Sequence, residues 1–234
     1  MLLKIMNLEA YIGQFYILQG VNIELEEGEI IVLLGRNGAG KTTTLRCIMG
    51  LVPVSGGSIE FNGKPTGLTA PYNIANLGIT LVPEDQGIFS QLTVAENIRV
   101  ASRGTLKQSQ NKIDVILQIF PDLKNAWKRK AGGLSGGQKQ MLAIARSLVN
   151  DNKVIMLDEP SKGLAPVLVS QLGEAIMQLK THTSVLLVEQ NFGFAKKIAN
   201  RYYILSDGRT VMNGVMTELI GDVESQRRYL GVSS

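Results

Sequence analysis

Gly35-Arg36-Asn37-Gly38-Ala39-Gly40-Lys41-Thr42, followed by Thr43, has the spacing G-x-x-x-x-G-K-[ST] of a loop that cradles phosphate. Each residue type has a task at that spacing. The glycines let backbone N–H groups turn inward around a polyphosphate, where the start of a following helix adds a favourable field. Lys41 brings a point charge for the outer phosphates, and the Thr42 hydroxyl is placed to ligate a Mg²⁺ bridging them, so nucleotide and metal bind as one unit. A second stretch, Val154-Ile155-Met156-Leu157-Asp158-Glu159, is an apolar run ending in two carboxylates. Asp158 can hold Mg²⁺, directly or through water, and Glu159 is placed to orient a water attacking a terminal phosphoryl. A strand ending in acids is common as a solvated loop start, so this pair takes its meaning from the phosphate loop.

A third stretch, Leu134-Ser135-Gly136-Gly137-Gln138-Lys139-Gln140, stands before a helical pattern made by Met141, Leu142, Ile144, Ala145 and Leu148. Ser135 and Gln138 form an S-x-x-Q capping pair, which by itself explains the serine as a partner for backbone donors. Gly136 and Gly137 are helix-unfavourable in a first turn, and they expose backbone N–H groups to an approaching anion. The residues alone leave both readings open.

The elements that must position these groups follow from hydrophobic period and turn chemistry. Ile30 to Leu34, bounded by Gly28 and Gly35, reads as a buried strand, and Thr42 to Met49 as the helix after the loop. Val21 to Leu25 and Ser58 to Phe61, the latter ending at Asn62-Gly63, alternate as half-exposed antiparallel strands of a smaller sheet. Ile79 to Val82, Val154 to Leu157 and Ser184 to Val188 read as further short buried strands. Thr93 and Glu96 cap a helix to Val100, and Ile113, Ile116, Leu117 and Phe120 line one face of another that stops at Pro121, so residues 88 to 150 are mainly helical. A helix follows Pro166, with Leu168, Leu172, Ile176 and Leu179 on one face. Tyr202 to Leu205, Asp207-Gly208 and Arg209 to Met212 predict a hairpin, and Glu224 to Ser234 a short helix and tail. Alternating strands and helices predict an α/β fold with a mainly parallel sheet covered on both faces.

The 234 residues are 44% hydrophobic, enough for one large α/β domain or two small ones with a substantial core, and this argues against disorder. A net charge of +4 suits an anionic ligand or a nearby membrane surface but falls short of a nucleic-acid footprint. The dense basic run Lys128-Arg129-Lys130, beside Trp127, reads as a solvated loop. One cysteine, Cys47, excludes an intramolecular disulfide and a cysteine-built metal site. No apolar run approaches the roughly 20 residues that span a bilayer, and Met1-Leu2-Leu3-Lys4 lacks the pattern of a signal peptide. The expectation is a protein that is soluble or held at a membrane by a partner.

The order of phosphate loop, L-S-G-G-Q and L-D-E resembles the ATP-binding cassette family, from about residue 4 to about residue 231. The resemblance implies a P-loop NTPase (RecA-like) fold over residues 1–234, with an antiparallel β subdomain and a helical subdomain at about 88–150. It also implies a Mg²⁺-dependent ATPase in which two ATPs are sandwiched in a head-to-tail dimer, identical or heterodimeric. Ser135, Gly136, Gly137 and Gln138 would then serve the nucleotide bound to another subunit's phosphate loop. Val82-Pro83-Glu84, Ser161-Lys162-Gly163-Leu164-Ala165-Pro166 and Val188-Glu189-Gln190-Asn191 are most similar to ATP-binding subunits of branched-chain amino acid importers, with the urea importer subunit a close alternative. Permease subunits, an indirect link to a solute-binding protein and a place on the cytoplasmic side of the membrane are implied with them. The segment Glu84 to Gln91 and the helix after it would receive a short coupling helix of a permease.

Certain positions depart from the family's general pattern. Glu84 replaces the usual glutamine at the Mg²⁺ contact, with Gln86 nearby as a lesser substitute, and Gln190 replaces the switch histidine. Gln190 can still donate to the terminal phosphate but does not titrate near neutrality. The lone His182 lies before the strand and reads as a surface loop residue. Lys162 stands in the loop that crosses to the partner, where the importer subtype has leucine. Ile12 precedes Gly13 where an adenine-stacking aromatic is usual, which makes Tyr11 the nearest stacking candidate, ahead of Phe15 and Tyr16, or else a packed strand tyrosine. Two rivals are weaker. A non-transport cassette acting on nucleic acid would usually carry a long coiled-coil insertion or two cassettes, and this sequence shows neither sustained heptads nor a large basic face; L-S-G-G-Q argues against a phosphate-loop kinase or GTPase.

Overall fold

The computed structural model describes residues 1–104 and 106–231, and their backbone is organised by two sheets. In chain order the first elements are β1 (Leu3–Ile12), β2 (Phe15–Leu25), β3 (Ile30–Leu34), α1 (Lys41–Ile48), β4 (Gly56–Phe61) and β5 (Lys64–Pro65). The smaller sheet is antiparallel in the order β2-β1-β4-β5. Both strands read from its alternation are present, each longer than its alternating part. The central strand β1 was not legible because its buried residues change phase: Leu3 and Ile5 face the core, then Leu8 and Ala10. The register shifts between Ile5 and Leu8, where Asn7 holds φ of 46°, so a bulge inserts a residue and breaks the alternation.

Then come α2 (Pro71–Leu77), β6 (Ile79–Val82), α3 (Val94–Ala101), α4 (Leu106–Ile119), α5 (Pro121–Asn125), α6 (Gly136–Leu148), β7 (Val154–Asp158), α7 (Pro166–Leu179) and β8 (Ser184–Glu189). The chain continues through α8 (Phe192–Ile198), β9 (Arg201–Ser206), β10 (Arg209–Val215), α9 (Met216–Gly221) and α10 (Val223–Ser225). The larger sheet runs β10-β9-β3-β8-β7-β6, parallel except for the β9–β10 hairpin. Asp207 and Gly208, with φ of 50° and 74°, turn that hairpin as expected. The tail predicted from Glu224 begins as helix and a further turn to Leu230, and residues 232–234 lie outside the described residues.

The apolar runs are continuous because the larger sheet is buried on both faces. Ile30, Val32, Leu34, Ile155, Leu157, Val185 and Leu187 point into a core shared with α3 to α9. Their alternates Ile31, Leu33, Val154, Met156, Leu186 and Val188 point into a second core shared with α1 and the smaller sheet. Each central strand is thereby clamped along its length, which fixes where its C-terminal residues emerge.

Candidate active site

Four adjacent parallel strands, β3, β8, β7 and β6, carry the phosphate loop, Gln190, Asp158 with Glu159, and Glu84 at one end of the sheet, whereas Tyr11 lies on β1 of the smaller sheet and Ser135 to Gln138 at the start of α6. Leu34 pairs with Glu189, Asp158 with Val188, and Val82 with Leu157, so the loops after them leave at nearly one level. Ligands of open α/β sheets bind at such C-terminal strand ends.

The loop after β3 is held from below. Gly35 has φ of 152°, and a Cβ there would meet the Leu205 carbonyl oxygen at 2.4 Å; one on Gly40, φ 101°, would meet the Leu18 side chain at 2.7 Å. Gly208 N–H donates to the Ala39 carbonyl at 3.2 Å, tying the loop to the β9–β10 turn. Arg36, Asn37 and Gly38 are exposed above, while Gly35, Ala39, Gly40 and Lys41 are buried and Thr42 and Thr43 are half-buried. The Lys41 ammonium donates to the Gly35 carbonyl at 2.8 Å and the Arg36 carbonyl at 3.2 Å, so it spans the loop.

The Thr42 hydroxyl donates to Asp158 Oδ1 at 3.1 Å, joining the ends of the two chemical stretches. Burial raises the Asp158 pKa above the ordinary carboxylate value, partly offset by the Thr42 hydrogen bond. Glu159 places Oε1 3.5 Å from Lys41 Nζ and Oε2 3.5 Å from Lys162 Nζ. Its φ of 47° is left-handed, an uncommon state for a glutamate, and its N–H donates to the Val188 carbonyl at 2.9 Å. Glu84 does not point at Thr42 or Asp158 through any direct bond; its Oε1 accepts from Lys162 Nζ at 2.7 Å. Gln86 is committed elsewhere, donating to Gln140 Oε1 at 3.0 Å.

The donor set fits Mg²⁺. Hydroxyl and carboxylate oxygens are hard donors, and Mg²⁺ is commonly held by one or two carboxylates together with substrate phosphates and water rather than by a closed protein cage. Among the described residues no cluster of three or more His, Cys, Asp and Glu forms such a cage. Thr42 and Asp158 are the side chains already in contact there, with Glu84 free to join if it leaves Lys162.

The L-S-G-G-Q turn is built as a capping box: Gln138 N–H donates to the Ser135 hydroxyl at 3.3 Å, and Ser135 N–H to Gln138 Oε1 at 3.2 Å. Gly137 is buried, and a Cβ there would come within 2.7 Å of a Leu168 methyl on α7, so close helix packing accounts for that glycine. Gly136 has open space around its Cα and is exposed with Ser135, so it has no such packing reason. Gln190 is exposed directly after β8, and His182 is exposed in the loop before it. Tyr11 stacks on Tyr16 across the β1–β2 pair, ring centroids 4.6 Å apart, and stays 47% exposed. It presents a flat aromatic surface while also packing as a strand tyrosine.

Glu189 is the residue with a structural hold on the site that no spacing singled out. It is 2% exposed, and its carboxylate accepts from Ser161 N–H at 3.0 Å and Asn191 N–H at 3.2 Å. Burial raises its pKa above the ordinary value. It thus braces the loop after β7 against the loop that carries Gln190. An acid closing an apolar strand directly before Gln190 was the available signal.

The family described as ABC transporter matches residues 18–162, spanning the phosphate loop, the capped glycine turn and the two carboxylates. The chain belongs to the ABC transporter family. Among ABC proteins it is 40% identical, over 96% of its own length and 97% of the other's, to the high-affinity branched-chain amino acid transport ATP-binding protein BraG of Pseudomonas aeruginosa. It is 36% identical, over 99% of both chains, to the probable branched-chain amino acid transport ATP-binding protein LivF of Archaeoglobus fulgidus. The solved ADP conformation of MJ1267, an ATP-binding cassette of an ABC transporter, superposes with a TM-score of 0.86 at 26% identity, covering 98% of this chain and 97% of that one. The fold is the α/β P-loop NTPase architecture of ABC ATPases, and this chain is an ABC ATPase.

Proposed function

We propose that this ABC ATPase binds and hydrolyses Mg·ATP as the motor subunit of an importer for branched-chain amino acids, attached through permease subunits to the cytoplasmic face of the membrane. The observation that carries the chemistry is the convergence of Lys41, the Thr42–Asp158 hydrogen bond and Glu159 at the strand ends. The solute class rests on the BraG and LivF relatives, since an ATP-binding subunit does not itself touch the solute. No helix among the described residues is long and apolar enough to cross a membrane, in keeping with attachment through partners.

The amides of residues 37–43 and the Lys41 ammonium hold the β- and γ-phosphates, with Tyr11 as the candidate surface for adenine. Bound Mg²⁺ would neutralise charge developing on the phosphate oxygens, with Thr42 and Asp158 as its protein ligands and Glu84 as a third candidate. Glu159 orients a water in line with the γ-phosphorus and accepts its proton as the oxygen attacks and the bond to ADP breaks. Gln190 donates a hydrogen bond to the γ-phosphate. Ser135, Gly136, Gly137 and Gln138 of a second cassette, identical or related, close over the same nucleotide, and the two-fold arrangement makes the contact reciprocal. Closure moves the permeases, and hydrolysis with phosphate release reopens the pair.

The Glu159→Gln variant is expected to bind ATP and dimerise while turning over on the order of 100-fold or more slowly. Unchanged turnover would assign the water to another residue. The permease contact is proposed at residues 84–91, where Phe89 is 46% exposed under the Arg146 guanidinium, 5.0 Å above its ring, and Asn97 grips its backbone. Phe89→Ala is expected to weaken co-purification with the permeases and leave the ATPase of the isolated chain intact; unimpaired co-purification would remove this surface from the interface.

A further inference from the structure

Lys162 stands on a fixed stem. Its N–H donates to the Glu159 carbonyl at 3.1 Å, the preceding Ser161 N–H is held by the buried Glu189, and Gly163, φ 74°, releases the chain beyond. From there the ammonium reaches two carboxylates of two neighbouring strands: Glu84 after β6 at 2.7 Å and Glu159 after β7 at 3.5 Å. Glu159 is therefore flanked by a lysine on each oxygen, Lys41 on one and Lys162 on the other. Three carboxylates, Glu84, Asp158 and Glu159, are gathered at these strand ends, and Lys162 supplies the positive charge that Lys41 alone does not.

A solvated surface pair contributes little to stability, and Lys162 and Glu84 are 57% and 50% exposed. Weakness is what a displaceable contact requires. A divalent ion arriving with nucleotide beside Thr42 and Asp158 attracts the same carboxylates with twice the charge, and so competes with the Lys162 ammonium for Glu84.

We propose that Lys162 is a resident counter-cation of the metal site, holding Glu84 and Glu159 until Mg²⁺ displaces it from Glu84, and thereby raising the Mg²⁺ concentration at which the cassette takes up metal-bound nucleotide. The role is one of positioning and competition, and it rests on the ATPase reading above. It makes a lysine in the loop after Glu159 a regulator of metal demand.

The test is binding of the fluorescent non-hydrolysable analogue mant-AMPPNP to the full-length chain, titrated with Mg²⁺, so that turnover plays no part. In Lys162→Met, which keeps length and loses charge, the Mg²⁺ midpoint is expected to fall roughly 2- to 5-fold, the range that loss of the one exposed pair with Glu84 allows. Lys162→Arg should stay within about twofold of the wild type, because it retains both pairs. Adding Glu84→Gln to Lys162→Met should raise the midpoint again, since the freed carboxylate then serves the ion. A midpoint in Lys162→Met equal to that of the wild type overturns the proposal, as does a raised midpoint with weaker binding in the absence of Mg²⁺, which would put the ammonium on the phosphates. A wild-type chain that binds the analogue at no Mg²⁺ concentration would instead sink the ATPase reading.

Discussion

The two glycine-rich turns before α1 and before α6 solve different problems with similar residues. The first is locked into its own chain: Gly35 lies against the Leu205 carbonyl, Gly40 against Leu18, Ala39 accepts from Gly208, and Lys41 is 5% exposed with its ammonium across two loop carbonyls. The second closes its hydrogen bonds locally, through the reciprocal bonds of Ser135 and Gln138, and packs only Gly137 against α7 at Leu168, with Ser135 and Gly136 facing out. A binding surface complete within one chain is anchored by residues remote in sequence. A surface that closes on a second molecule, as proposed above for the turn before α6, needs local order and an open face, and this turn has both.

The contrast breaks most sharply at Lys41. Lys41→Ala is expected to lower nucleotide affinity and turnover by on the order of 100-fold or more, comparable to removing one strong preorganised donor, read by analogue binding and phosphate release. Near-normal binding would mean that the loop amides suffice without the ammonium. At Ser135 the cap and the outward role can be separated. Ser135→Ala should cost about 1 kcal/mol of stability by loss of the cap, whereas Ser135→Asp keeps the cap and adds a negative charge where a phosphate would approach. Thermal melts should therefore rank aspartate with the wild type, and ATP-driven dimerisation, followed by light scattering, should be lost in the aspartate variant. Dimers from Ser135→Asp would reduce Ser135 to a capping residue.

The smallest expected effect lies at the brace between the two loops. Because burial raises the Glu189 pKa, the folded state holds its proton more tightly than the unfolded chain. Its contribution to stability is then greatest below the unfolded value near 4.5 and is lost as pH rises through the folded value. Relative to Glu189→Gln, the wild-type melting temperature should fall between acid and neutral pH and then level off. A difference that stays constant with pH would show that the carboxylate is ionised equally in both states.

The sequence made the candidate site legible where chemistry demands particular atoms at particular spacing, as in Gly35 to Thr42 and Asp158-Glu159, and the family likeness was carried by those motifs together with L-S-G-G-Q. The larger sheet was legible for a different reason: strands buried on both faces read as unbroken apolar runs. Several elements left no such trace, β1 and α2 among them. β1 hid behind the bulge at Asn7, and α2 buries Ile74 alone, which gives a helical period nothing to repeat. Contacts between side chains distant in sequence were also out of reach. Lys162 with Glu84, and Glu189 with the Ser161 backbone, exist because β6, β7 and β8 lie side by side, a fact of strand order rather than of spacing.

The left-handed backbone of Glu159, φ 47°, has a consequence for how such a protein can be improved. That conformation disfavours a glutamate by about 1 kcal/mol and suits glycine or asparagine. Laboratory evolution that rewarded heat tolerance and nothing else would tend to install one of those at position 159, giving a sturdier protein without the carboxylate proposed above to direct the attacking water. A screen for durable variants of this cassette must therefore keep a catalytic assay in every round.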